Sequence, residues 1–223
     1  MLKVKLLGVL CVSMGLSACA TAEMPSRART DLFPAVASPA LDVATTAADL
    51  TIASYDIVVP KSLLVSEADV FLPNADIVWH GDPVGDRHAQ IAAIFDTAFQ
   101  RGTADLTGNH PVTVRLEVTE FHALTPKTRA TVGGNFAMHF VMTVVDTQSG
   151  AIVFGPVAIK ADTPASGGRK ALQEEADGIT QKVVVVARLA EVLAEQMQRV
   201  QIPQADVATS RDAFSPYDLT LAQ

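Results

Sequence analysis

The densest group of residues able to do chemistry lies between positions 80 and 88, where His80, Asp82, Asp86, Arg87 and His88 crowd together. Imidazole nitrogens and carboxylate oxygens are the donors of zinc and transition-metal sites, so His80, Asp82 and His88 are the set that would hold a metal and support hydrolysis. Their spacing matches no ligand motif. Local structure accounts for the same residues: Asp82-Pro83 makes a turn, Asp86 caps a following helix, Arg87 stays in solvent, and the histidines pack or face water. No metal and no cofactor is therefore expected, and metal-assisted hydrolysis is the least favoured reading of the cluster.

The other candidates are thinner. His110, His122 and His139 fall on a loop, a strand end and a strand, with no neighbouring nucleophile and carboxylate that would make a triad and no nucleophile-elbow context. No catalytic residue is expected. Trp79, the only tryptophan, ends an apolar run and reads as a core residue. Two glycine pairs, Gly133-Gly134 and Gly167-Gly168, invite comparison with phosphate loops. The first lacks the Lys and Ser or Thr that would follow, and the second offers only Arg169 and Lys170 beside a helix start. Both read as flexible turns, the second being the better place for an anion.

The N-terminus carries a different kind of chemistry. Lys3 and Lys5 precede an apolar run from Leu6 to Met14, and Gly15-Leu16-Ser17-Ala18-Cys19 closes the segment with small residues. This is the three-part layout of an export signal, and the run is short of the ~20 residues that a spanning helix needs. Leu16-Ser17-Ala18-Cys19 resembles the bacterial lipobox, in which a diacylglycerol joins the cysteine sulfur and cleavage falls just before it. The resemblance implies cleavage between Ala18 and Cys19, lipid attachment at Cys19, and a membrane anchor of more than one acyl chain, enough for stable anchoring. Ala20-Thr21 in place of an aspartate after the cysteine points to the inner leaflet of the outer membrane, with the domain facing the periplasm.

The 223-residue chain is 49% hydrophobic and 18% charged, enough apolar material for one core. Its formal net charge is −7, and loss of the leader with Lys3 and Lys5 makes it more acidic. The basic residues are scattered, which argues against nucleic acid as a partner. Both cysteines, Cys11 and Cys19, belong to the leader region, so disulfide and cysteine-metal chemistry are not expected in the domain.

Four regions are expected: a signal peptide over 1–18, a lipidated N-terminus and Pro- and Ala-rich tether over 19–48, a periplasmic domain over 49–202, and a loose tail over 203–223. In the domain, Leu50 to Val59 and Ala75 to Trp79 read as strands, and Lys61 to Leu72 as strand or irregular chain. Asp86 caps a helix whose apolar face is Ile91, Ile94, Phe95, Ala98 and Phe99, ending at Gly102. Val112, Val114, Leu116 and Val118 alternate with polar residues, and 135–146 pairs with 151–160 as a hairpin closed at Gly150. Leu172, Ala176, Ile179, Val183, Val186, Ala190, Leu193, Met197 and Val200 then predict one long helix over 170–200. The fold class is α+β, a two-layer sandwich of an antiparallel sheet of about three to five strands with two helices on one face.

The pattern from Ala75 to Met197, above all Trp79-His80-Gly81-Asp82-Pro83 and the turn Asp146-Thr147-Gln148-Ser149-Gly150, resembles a group of uncharacterised alphaproteobacterial periplasmic lipoproteins. In layout the chain is also similar to curli-secretion type and transport-auxiliary lipoproteins, although it has no pair of long alternating hairpins able to build a membrane barrel. The layout carries over no functional residue. These features imply a lipid-anchored, non-catalytic protein that binds or assembles with an unidentified envelope protein. The alternative is an auxiliary subunit of an envelope transport system.

Overall fold

The computed structural model describes residues 49–202. The leader Met1–Ala18, the lipid attachment point Cys19, the tether over 20–48 and the tail over 203–223 lie outside the described residues.

Seven strands and four helices follow in the order β1 (Leu50–Val58), β2 (Val65–Ser66), β3 (Ile77–Val78), α1 (Arg87–Gly102), β4 (His110–His122), α2 (Pro126–Ala130), β5 (Gly134–Asp146), β6 (Ile152–Lys160), β7 (Thr163–Ala165), α3 (Gly168–Ala176) and α4 (Gln181–Met197). The centre is the antiparallel pair β4 and β5, with Leu116 opposite Met142 and Val114 opposite Val144. β6 returns against β5 through the turn at Gly150, whose φ of 71° is the left-handed conformation expected there. β7 pairs with the start of β5. On the other side of β4, β1 runs beside its first half and β3 beside its end, with β2 outside β3.

This is the α+β two-layer sandwich anticipated. Its sheet is broader, six strands from β1 to β6, and mixed, because β1 and β3 lie parallel to β4. A strand that precedes a crossover helix such as α1 returns parallel, whereas only tight turns force antiparallel neighbours.

The core forms because alternation and helical period agree. Val112, Val114, Leu116 and Val118 of β4 and Phe136, Met138, Phe140, Met142 and Val144 of β5 are buried on one face, against Ile91, Ile94, Phe95 and Phe99 of α1 and Val185, Leu189, Val192 and Leu193 of α4. A register shift between Val118 and Glu120 resets the alternation, so that Phe121 also turns inward. Phe95 meets Phe140 edge-on at 5.4 Å, and Trp79 meets Phe121 in the same manner at 5.6 Å. Trp79 is thus the core residue it was read to be.

The long helix over 170–200 is a correction: two helices occupy this stretch. The break is a paired stop and start. Gly178, at a φ of 80°, lets Ile179 N–H donate to the Glu174 carbonyl and Gly178 N–H to that of Glu175, which ends α3. Thr180 then caps α4, its hydroxyl accepting from Val183 N–H. The apolar stripe divides with the helices: Val186, Ala190, Leu193 and Met197 are buried, whereas Leu172, Ile179 and Val183 are exposed.

Candidate functional site

Of the residues singled out between 80 and 88, Asp82, Asp86, Arg87 and His88 enter a bonded corner, and His80 stands apart from it. Asp82 accepts from the Trp79 indole at 2.9 Å and from Lys182 of α4 at 2.8 Å. Burial would raise its pKa, yet those two hydrogen bonds and the lysine charge outweigh it and leave Asp82 below the usual carboxylate range. His88 faces the Leu63 carbonyl through Nε2, at 3.2 Å, and Asp86 through Nδ1. Asp86 caps α1 as expected, accepting from Ala89 N–H at 3.1 Å, and that bond together with Lys61 depresses its pKa. Among the described residues no group of three or more His, Cys, Asp or Glu is placed to hold a metal ion.

Arg87 is a second correction. Read as solvated, it is 3% exposed and the most heavily bonded side chain of the corner. Nε and Nη2 donate to the two carboxylate oxygens of Glu67 at 2.7 and 2.9 Å, and Nη1 donates to the carbonyls of Asp82 and Pro83 and to Gln90. The fork geometry of guanidinium suits such convergent acceptors. The Arg87 hydrogen bonds hold Glu67 below its ordinary pKa, and Glu67 raises that of Arg87. Sequence spacing did not reveal this pair because its partners stand 20 residues apart.

The remaining histidines are spread over the sheet. His110 bonds Asp146 at 2.9 Å, the first cause of that carboxylate's lowered pKa, while Asp146 also accepts from Gln148 and Ser149 N–H in the hairpin turn. On the face of the sheet away from α1 and α4, His139 sits between Glu120 at 2.8 Å and Asp162 at 2.9 Å, and His122 faces the Ala75 carbonyl. None of these groups has a serine nucleophile in hydrogen-bond contact.

His80 differs from all of them. Its Nε2 is buried and has no hydrogen-bond partner among the described residues. It lines a cavity of about 430 Å³ between α2, α3 and the first turn of α4, together with Gly81, Pro126, Arg129, Ala130, Ala171, Leu172, Glu175, Thr180, Gln181 and Lys182. This volume falls within the range of small-molecule sites. A second cavity of about 410 Å³ lies on the other flank of α3, and Arg129 lines both. Only His80 of this lining stands out in the sequence as a group able to do chemistry, because the other polar residues come from separate elements with no shared motif.

The glycine pairs meet at the base of α3. A Cβ on Gly133 would sit 2.6 Å from the Ala165 carbonyl oxygen and 2.7 Å from the Gly167 nitrogen, and one on Gly167 would collide with the Gly133 backbone. They are a close crossing of two chain segments, not the flexible turns anticipated and not a phosphate loop.

The model of DUF6778, a family of unknown function, matches residues 50–213. The chain belongs to that family. No curated protein matches it. Among solved structures, this DUF6778 chain is similar to a Caulobacter crescentus protein described as a candidate lipoprotein. The identity is 15% and the TM-score 0.30, over 48% of this chain and 80% of that one. It is also similar to a Xanthomonas campestris protein of the family DUF330, with 9% identity and a TM-score of 0.42 over 68% and 82% of the two chains. Among the described residues, no helix is long and apolar enough to cross a membrane.

Proposed function

We propose that this DUF6778 protein is a lipid-anchored, non-catalytic module of the bacterial envelope that faces the periplasm and binds another envelope component. The observation that carries the reading is Leu16-Ser17-Ala18-Cys19 at the end of a short apolar run behind two lysines. Ala20-Thr21 after the cysteine supports the inner leaflet of the outer membrane. A tether over 19–48 would give the domain reach without fixing its orientation. Binding is favoured over catalysis because Asp82, Glu67, Asp146 and His139 are spent on partners within the fold. Two surfaces suit protein contact. One is the rim strand β6, with Ile152 exposed, and the other is Val70-Phe71-Leu72, exposed yet held to α2 by bonds from Thr125 and Thr128 to the Val70 and Phe71 carbonyls.

Intact mass of the membrane-extracted protein tests the anchor. A chain beginning at Cys19 with acyl chains attached, absent from a Cys19→Ala variant, is expected. An unmodified mass beginning elsewhere sinks the reading. Crosslinking in intact cells tests the binding role: a discrete adduct is expected, and its consistent absence across crosslinkers argues for another function. A second reading, an auxiliary subunit of an envelope transport system that handles an apolar ligand, is favoured by the cavity beside α3.

A further inference from the structure

We propose that the cavity between α2, α3 and the start of α4 is a binding site for an apolar monocarboxylic acid of medium chain length. Its chain would lie against Leu172, Ala171, Ala130 and Pro126, and its carboxylate would be taken by Arg129. This deepens the second reading above and does not depend on the lipid anchor.

Three observations converge on the site. The first is the unused hydrogen-bonding capacity at its lining. Buried polar atoms are nearly always paired. Yet His80 Nε2 has no partner among the described residues. Arg129, whose side chain is only 15% exposed, commits Nη2 to Glu175 at 2.7 Å and to the Ala171 carbonyl at 3.4 Å, and its Nε and Nη1 bond to none of the described residues. A guanidinium whose Nη1 bonds to none of the described residues can offer that nitrogen to one oxygen of a carboxylate.

The second is an apolar surface left open. Leu172 occupies an apolar position of α3 yet is 67% exposed, and it lines the cavity together with Ala130, Ala171 and Pro126. The volume of about 430 Å³ is that of a small-molecule site and leaves room for a chain of medium length. Charge limits the head group. Lys182 is paired with Asp82 and Arg129 with Glu175, so no unpaired cation of the lining is left to compensate a doubly charged phosphate monoester, and a singly charged head that accepts one hydrogen bond fits better.

The third is the construction of the wall. α3 buries only Ala171, its N-cap Gly167 makes no side-chain bond, and Gly168 and Gly178 at its two ends have φ of 58° and 80°. With the second cavity on its other flank, α3 has space to shift on ligand entry, as elements with few buried contacts do.

The test is calorimetric titration of sodium decanoate into the processed chain, Cys19–Gln223, with Cys19→Ser so that no attached acyl group competes. One site per chain is expected. Affinity should fall about tenfold or more in Arg129→Gln and in Leu172→Glu and stay unchanged in Val84→Glu, an exposed apolar residue outside the cavity. Leu172 is exposed, so its variant should melt as the parent does and keep the test valid even if Arg129→Gln loosens α3. Absence of saturable binding at millimolar decanoate overturns the proposal, as does binding that both cavity variants retain or that Val84→Glu loses equally. The anchor can fail its mass test while decanoate binds, so the two readings are separable.

Discussion

α1 and α3 are both amphipathic by sequence, yet one is built into the molecule and the other is laid upon it. α1 buries Ile91, Ile94, Phe95, Ala98 and Phe99, is capped by Asp86, and has Arg87 at its first position bonded to Glu67, to the turn at Asp82 and to Gln90 of its own helix. α3 buries Ala171, has glycine for its cap, and leaves Leu172 in solvent. Helical period predicts a face, but whether the face is covered depends on what the rest of the chain brings to it. α1 lies over β4 and β5, whereas α3 meets the five-residue α2 and is flanked by two cavities.

Paired truncations give the largest expected contrast. Phe95→Ala removes a fully buried ring that packs on Phe121 and Phe140 and should cost about 3–5 kcal/mol in denaturant unfolding. Leu172→Ala should cost no more than ~0.5 kcal/mol, as surface substitutions do. Similar losses at the two positions would mean that α3 is a full part of the core and would undo the comparison.

Next in size is Arg87→Met. The apolar side chain keeps much of the volume but leaves the Asp82 carbonyl and Gln90 Oε1 without the Arg87 donor, the Pro83 carbonyl keeping Gln90 Nε2, and it removes the partner of Glu67, for an expected loss of about 2–4 kcal/mol. Glu67→Gln should cost less, because Glu67 is half-exposed and water can replace part of the pair. Equal losses would show that the ion pair, rather than the carbonyl bonds, fixes the start of α1.

Much of α1 was legible because its signals are local: a capping Asp, a Pro-containing turn before it, and apolar residues three and four apart. The β4, β5 and β6 meander was legible for the same reason, through alternation and the Gly150 turn. What escaped depended on distant partners. The parallel placement of β1 and β3 beside β4, the burial of Arg87 on Glu67, and the crossing of Gly133 with Gly167 each join segments that no short window contains. The cavity escaped likewise, since His80, Arg129, Leu172 and Lys182 meet only after three helices are in place. The division of α3 from α4 is a different case. Asp177-Gly178 followed by Thr180 is a local stop and start, and an unbroken apolar stripe outweighed it.

That junction offers a smaller test. Thr180→Ala removes the α4 cap and should cost about 1 kcal/mol. Gly178→Ala should cost about 1–2 kcal/mol through its positive φ alone, because a Cβ there meets nothing within 4 Å. If Gly178→Ala instead stabilises the protein, the two helices have fused into one, α3 has left its place, and the cavity proposed for decanoate is lost with it.

The smallest expected effect is on acid stability, and it locates the strength of the α1 corner. Glu67, Asp82 and Asp146 all have lowered pKa values, through Arg87, through Lys182 and Trp79 against the opposing effect of burial, and through His110, respectively. A carboxylate that is more acidic in the folded state contributes stability fully present above its unfolded pKa, roughly 4, and lost as pH falls through the lower folded value. The melting midpoint should therefore hold from neutrality down to about pH 4 on account of these groups and decline below it. Two of the three lie in the corner that positions α1 and none contacts α3, so Glu67→Gln should make the decline shallower. A decline that Glu67→Gln leaves as steep as in the parent would take the acid dependence away from the α1 corner.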